Sequence, residues 1–248
     1  MRYIFISPHL DDAVLSCGGI IHFLVNEGHQ VAIWTIFSGD PEDQNYSDFA
    51  KKLHKRWKLE NQNPSNERRL EDINACLVLG TKFIHFPYQD CIYREYENGI
   101  PIIQKEEDLF QEISGNQIDL IQKISNTLKK CIPRDSMIIS PFGIGNHIDH
   151  QIVKSAIIQV RHPFLWFYAD FPYVLNDLSK LMSDIPINYN QEEFEITENS
   201  LKLWKIAVSS YSSQISTFWS GKKEMYSKIE EYAENGGGKK LWRKLDDN

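Results

Sequence analysis

Tyr3-Ile4-Phe5-Ile6-Ser7-Pro8-His9-Leu10-Asp11-Asp12-Ala13-Val14-Leu15 begins a stretch that runs on to Val31-Ala32-Ile33-Trp34-Thr35-Ile36-Phe37. Tyr3 to Ile6 is a short β-rich apolar run. A polar turn follows, and Ala13 to Val25 has helical length and spacing. Gly28 closes that helix. Val31 to Phe37 is a second buried strand candidate, ended by the turn cluster Ser38-Gly39-Asp40. Strand, helix and strand at this spacing make a βαβ unit, which commits the chain to a parallel sheet.

The same alternation continues outward. A helical stretch lies near Phe49 to Trp57 within the polar residues 41–66, and a second helix runs from Arg68 to Leu79 before Gly80. Phe83 to Phe86 reads as a third strand. Residues 95–117 are acidic and turn-rich, as a surface excursion would be, before a helix over 118–128 and a fourth strand at Met137-Ile138-Ile139. A helix over 150–160 and a strand over 165–169 come next. Residues 179–199 are acidic and weakly periodic and read as irregular. A helix holds Leu201 to Tyr211, and the end reads as helical with a break at Gly236-Gly237-Gly238. The expected architecture is a Rossmann-like three-layer α/β sandwich with a mostly parallel central sheet. One domain is expected over residues 1–248, with its motif-bearing core at about 2–215 and a C-terminal helical extension.

Composition narrows the partners. With 248 residues and 42% hydrophobic content the chain can bury a large core. Its net charge of −7 comes with no Lys/Arg-rich block, which argues against nucleic acid. The apolar run at the N-terminus is too short for a signal peptide, and no segment approaches the about 20 apolar residues of a membrane span. No membrane association and a cytoplasmic location are expected. Cys17, Cys76, Cys91 and Cys131 form no C-x-x-C pair, so reduced thiols are expected.

Two polar clusters each follow a predicted strand: Ser7 to Asp12 after the first, and Gly145-Asn146-His147-Ile148-Asp149-His150 after the fourth. In open parallel sheets the ligand crevice lies beyond the carboxyl ends of the strands, so both clusters project from one edge. Together they offer three histidines and three carboxylates. A catalytic zinc takes three His or Asp/Glu ligands and keeps a position for water. An Asp pair at a strand end commonly only caps a helix, and a lone H-x-x-H is more often surface polarity. It is the conjunction of the two clusters that favours a metal.

These residues resemble the LmbE-like or PIG-L-like zinc N-acetylglucosaminyl deacetylases, whose Pro-His-x-Asp-Asp and His-x-Asp-His motifs read here Pro8-His9-Leu10-Asp11-Asp12 and His147-Ile148-Asp149-His150. Arg68-x-x-Glu71-x-x-x-Ala75-x-x-x-Leu79-Gly80, Phe86-Pro87 with Asp90, and Tyr211-x-Ser213-Gln214 extend the similarity over roughly residues 2–215. The resemblance implies His9, Asp12 and His150 as ligands of zinc, or of another divalent metal. It further implies Asp11 as general base, His147 as general acid or electrophile, and Asp149 as the partner that accepts the other N–H of His147. The implied activity is removal of an N-acetyl group from an amino sugar or sugar conjugate by metal-activated water. The alternative is a non-hydrolytic, metal-containing protein of the same fold that binds a glycan or metabolite.

The chain departs from the family at Leu10, often proline, and at Ala13, often acidic. It departs also at Gly145, where some relatives carry a tyrosine that reaches the oxyanion. Arg68 and Asp90 are the substrate-binding candidates, since guanidinium and carboxylate groups pair with sugar hydroxyls. The competing reading of Arg68 is a surface ion pair with Glu71. Arg94 could reach an anionic part of a substrate. Trp204, Tyr211, Phe218 and Trp219 read as core. A phosphoacceptor signalling domain would not need the three histidines. A dinucleotide-binding protein would need G-x-G-x-x-G in the first βα turn, which is lacking.

Overall fold

A computed structural model describes residues 1–42, 45–177 and 189–244. A seven-stranded sheet runs through it in the order β3-β2-β1-β4-β5-β7-β6. β1 (Arg2–Ser7), β2 (Gln30–Thr35), β3 (Lys82–His85), β4 (Ser136–Pro141) and β5 (Leu165–Tyr168) pair in parallel. β6 (Tyr189–Glu193) and β7 (Lys240–Lys244) add an antiparallel margin. The central strands are buried on both faces. On β1, Phe5 packs with α1 (Asp12–Asn26), α3 (Pro64–Leu79) and the C-terminal helices, while Ile4 and Ile6 pack with α2 (Asp48–Trp57), α4 (Gln117–Cys131) and α5 (Ile148–Val160). Helices on both faces of a largely parallel sheet make the expected three-layer sandwich.

Local chemistry sets the elements. Asn63 caps α3, its side chain accepting from Asn66 N, with Pro64 in the first turn; the helix therefore starts four residues before the apolar periodicity does. Gly18 lies inside α1 because a Cβ there would come 2.2 Å from Cδ1 of Trp204. Trp204 on α6 (Glu198–Val208) is fully buried and donates its indole N–H to Val14 O at 2.7 Å.

Three expectations need correction. The end of the chain is not helical throughout. α7 (Ser212–Phe218) and α8 (Lys222–Glu234) lead through the glycine break into β7, which buries Leu241 and Trp242. Residues 189–193, read as irregular, are β6, paired to β7; positions 179–188 lie outside the described residues. The excursion over 95–117 is not all surface, because Ile102 and Ile103 are buried in the core. No described helix is long and apolar enough to cross a membrane.

Candidate active site

The sheet reverses its winding between β1 and β4, where a crevice opens at the carboxyl edge. Both sequence clusters meet there. Asp11 occupies the N-cap position of α1 without a side-chain capping bond; Ser7 Oγ instead accepts from Ala13 N at 3.0 Å and donates to His9 O at 2.6 Å. The Asp side chains are thereby released from capping. Asp12 Oδ2 accepts from His9 N at 2.8 Å, and Asp11 is held at φ 153°, a costly conformation for a residue with a Cβ.

His9 Nδ1 lies 3.3 Å and His150 Nε2 lies 3.2 Å from Oδ2 of Asp12. Each ring is held from behind by a carboxylate. His9 Nε2 is 2.9 Å from Asp149 Oδ2, and His150 Nδ1 is 2.6 Å from Asp170 Oδ1. Carboxylates only accept, so Nε2 of His9 and Nδ1 of His150 carry the hydrogens and the opposite nitrogens face Asp12. A carboxylate behind an imidazole is the usual arrangement around protein-bound metals. His150 Nε2 is buried and has no well-aligned hydrogen-bond partner among the described residues, Asp12 Oδ2 lying at 3.2 Å but off the line of a hydrogen bond. A buried nitrogen left in this state fits a metal ligand. A ring nitrogen of His147 is also within 4.8 Å of those of His9 and His150, so it borders the same point.

The electrostatics follow from crowding. Burial would lower His150, but Asp12 and Asp170 outweigh it and push the ring up to about 9. Burial and then Asp12 push the Asp11 carboxyl up to about 8, against the pull of Arg68. Burial works the other way on Asp12 and Asp149, yet His150 and His9 hold Asp12 well below the usual carboxylate range, and Arg94 with His9 does the same for Asp149. His147 is held well below the ordinary histidine value by burial and by the neighbouring His9 and His150 rings.

The expected role of Asp149 is corrected. His147 Nδ1 accepts from Asp149 N at 3.3 Å, which caps α5, so its hydrogen sits on Nε2. The Asp149 carboxylate instead holds His9, takes the guanidinium of Arg94 at 2.5 Å and accepts from Cys91 N at 3.0 Å. The competing reading of Arg68 is also set aside. Arg68 is buried, donates to Asp90 at 3.4 Å, lies 3.9 Å from Asp11 and stacks over Trp57 at 4.8 Å. Glu71 serves Ser212 and Ser213, and Tyr211 donates to Asp72 at 2.7 Å, which ties the late motif to α3.

The crevice is a cavity of about 220 Å³ lined by His9, Asp11, Asp12, Arg68, Asp90 and His147 on one side. Trp57, Phe49, Leu53, Phe110, Tyr173 and Phe218 supply much of the remaining wall, with Arg56 and Glu106 also lining it. Phe218, expected in the core, therefore belongs to the cavity wall, whereas Trp204, Tyr211 and Trp219 are buried as expected. Sequence reasoning missed Asp170 and Tyr173. Gly145 leaves room for Tyr173: at φ 88° it carries no Cβ, and one would lie 2.8 Å from Tyr173 Cβ. The only available signal for Asp170 was its position just past the end of β5, the same edge as the two motifs.

The family model of PIG-L, described as GlcNAc-PI de-N-acetylase, matches residues 4–161. The 2'-N-acetylparomamine deacetylase of Niallia circulans is 30% identical over 197 residues, covering 69% of this chain and 67% of that protein. The A40926 pseudoaglycone deacetylase Dbv21 is 28% identical, with a TM-score of 0.74 over 97% of this chain and 96% of that one. The zinc-inhibited form of teicoplanin deacetylase Orf2 has a TM-score of 0.83 at 24% identity over the full length of both chains, a likeness of fold.

Proposed function

Since the chain belongs to the PIG-L, LmbE-like family of de-N-acetylases, we propose that it hydrolyses the acetamide of an N-acetylated amino sugar or sugar conjugate, with a divalent metal held by His9, Asp12 and His150. The observation that carries this is the convergence of His9 Nδ1 and His150 Nε2 on Asp12 Oδ2, each ring backed by its own carboxylate. Zinc suits the His₂Asp donor set and leads the choice among divalent ions. When bound, the ion supplies a Lewis acid that polarises the acetyl carbonyl and acidifies water.

The protein's residues do the rest. Asp11, next in the chain to Asp12 and buried beside it, would accept the proton of the attacking water once a bound cation offsets the burial and the Asp12 charge that otherwise raise it to about 8. His147, neutral with its hydrogen on Nε2, donates a hydrogen bond to the carbonyl oxygen as negative charge develops there. The new C–O bond forms, the C–N bond breaks, and the proton taken by Asp11 passes to the departing amine, leaving acetate and a free amino sugar. Arg94 and Asp149 keep the His9 ring in one orientation. Arg68 and Asp90 edge the sugar subsite. A cytoplasmic site of action is part of this reading, supported by four unpaired cysteines.

The test is acetate release from a panel of N-acetylglucosamine conjugates, N-acetylparomamine and a glycopeptide among them, together with metal analysis, a chelated sample and Asp11→Ala. Release that both controls abolish is the expected result. Bound metal without release from any conjugate would favour a binding protein, and failure to bind metal would overturn the ligand set.

A further inference from the structure

Tyr173 lines the catalytic crevice, and the reaction proposed above assigns it nothing. It opens the 3₁₀ turn Tyr173–Asp177, three residues past Asp170, the carboxylate that stands behind His150. Its ring meets His150 edge-on, with centroids 5.6 Å apart and planes at 86°. His147 flanks the same His150 ring at 5.2 Å. Phe110 packs edge-on against both flanking rings, 6.0 Å from that of His147 and 6.4 Å from that of Tyr173. His147 and Tyr173 therefore border one end of the crevice, the end at which His150 meets Asp12. Residue 145 decides whether the ring can be there: a Cβ at Gly145 would lie 2.8 Å from Cβ and 2.9 Å from Cγ of Tyr173.

The hydroxyl is the part without an assignment. It makes no hydrogen bond among the described residues, and it is not one of the unpartnered oxygens that are closed to solvent. Burial, and then the charges of Asp12 and Asp11, hold it well above the ordinary tyrosine value, which sets it deep in the protein and near the metal-binding end. A hydroxyl that is deep yet accessible opens on the crevice that its ring lines. At an ordinary value of about 10 a phenol is already protonated at neutral pH, so this group is a hydrogen-bond donor held without an acceptor. Such a donor gains most where negative charge appears during reaction. We infer that Tyr173 is a further catalytic residue, whose hydroxyl donates a hydrogen bond to the acetyl carbonyl oxygen as that oxygen becomes an oxyanion, beside the bond from Nε2 of His147. The inference rests on the hydrolase reading. No proton is transferred by Tyr173, so the exchange between water, Asp11 and the amine is unaltered. A sugar hydroxyl is the rival acceptor, and it differs in kinetics, since it would be bound equally before and during the reaction.

Tyr173→Phe keeps the ring and deletes only the oxygen. Because the hydroxyl holds nothing in the free protein, the midpoint of denaturant unfolding should stay where it is; a lowered midpoint would show that the hydroxyl serves the fold and would overturn the inference. On the N-acetyl conjugate that the unaltered protein hydrolyses best, kcat is expected to fall about 100-fold, with KM and metal content unchanged. The second readout is calorimetric and needs no turnover. The methylphosphonamidate of the same amine, a tetrahedral anion in place of the acetamide, should bind at least about ten-fold more weakly to the metal-loaded variant, while the free amine binds as before. A rise in KM at constant kcat would give the hydroxyl to a sugar hydroxyl, and unchanged rates with unchanged analogue affinity would leave it no part in the reaction; either overturns the inference alone. If the unaltered protein releases acetate from no conjugate, it is the hydrolase reading that fails, and the inference falls with it.

Discussion

Nδ1 of His150 sits 2.6 Å from Oδ1 of Asp170, and the other oxygen of that carboxylate accepts from the backbone N–H groups of Gly143 and Ile144 at 2.8 and 2.9 Å. One aspartate past β5 thus fixes both the imidazole and the loop that leads to it. Asp170→Asn keeps the shape and removes the charge. We expect metal affinity to fall about 10–100-fold, measured by competition with a chromophoric chelator. Unchanged affinity would show that His150 needs no support from behind.

Asp11 is the residue whose removal should separate binding from chemistry. It is adjacent to Asp12 but touches neither His9 nor His150 by hydrogen bond. Asp11→Asn is expected to lower kcat by about 10²–10⁴-fold with metal content intact. Metal analysis and steady-state rates on one preparation check both halves.

The metal-free protein should lose stability as pH rises from about 6.5 to 9. His150, raised from 6.5 to about 9, stabilises the fold most below 6.5 and ceases to do so as pH passes its folded value. Asp11, raised from 3.8 to about 8, has the same sign up to about pH 8, the lower part of that window. Bound metal takes the place of these protons, so its affinity should rise over the same interval. Melting temperatures across pH, with chelator and with zinc, test this. A metal-free protein whose melting temperature climbs from pH 6.5 to 9 would contradict the assignment.

Arg68 is a buried cation shared between Asp90, Asp11 and the face of Trp57. Arg68→Met keeps the stem and deletes the charge, leaving two buried carboxylates with less compensation. The expected loss is about 3–5 kcal/mol of folding stability, read from denaturant curves. A surface ion pair would instead cost less than about 1 kcal/mol.

The fold was legible because the central strands are buried on both faces, and so appear as unbroken apolar runs such as Ile4-Phe5-Ile6 and Ile33-Trp34. β7 was not. In Lys240-Leu241-Trp242-Arg243-Lys244 the cations outnumber the two buried residues, and pairing with β5 and β6 makes the strand. At the site, the motifs gave the residues that face the centre, but not what stands behind them. Asp170 belongs to no short pattern with His150. The family resemblance made Asp149 the partner of His147, yet the first turn of α5 turns its carboxylate toward His9 and Arg94. Arg94, read as able to reach an anionic part of a substrate, instead gives its guanidinium to Asp149.

β7 lies between β5 and β6 in the sheet, although in the chain it follows both. During synthesis residues 189–193 leave the ribosome well before residues 240–244, and until those arrive β6 has no neighbour to pair with. The edge of β5, and the Asp170 turn beyond it, stays open through the same interval. Completion of the sheet beside Asp170 thus waits on late, long-range strand insertion, a slow kind of step in folding. A nascent chain stalled before residue 240 should expose an unfinished β5 edge and depend on chaperones to keep it from sticking to its neighbours.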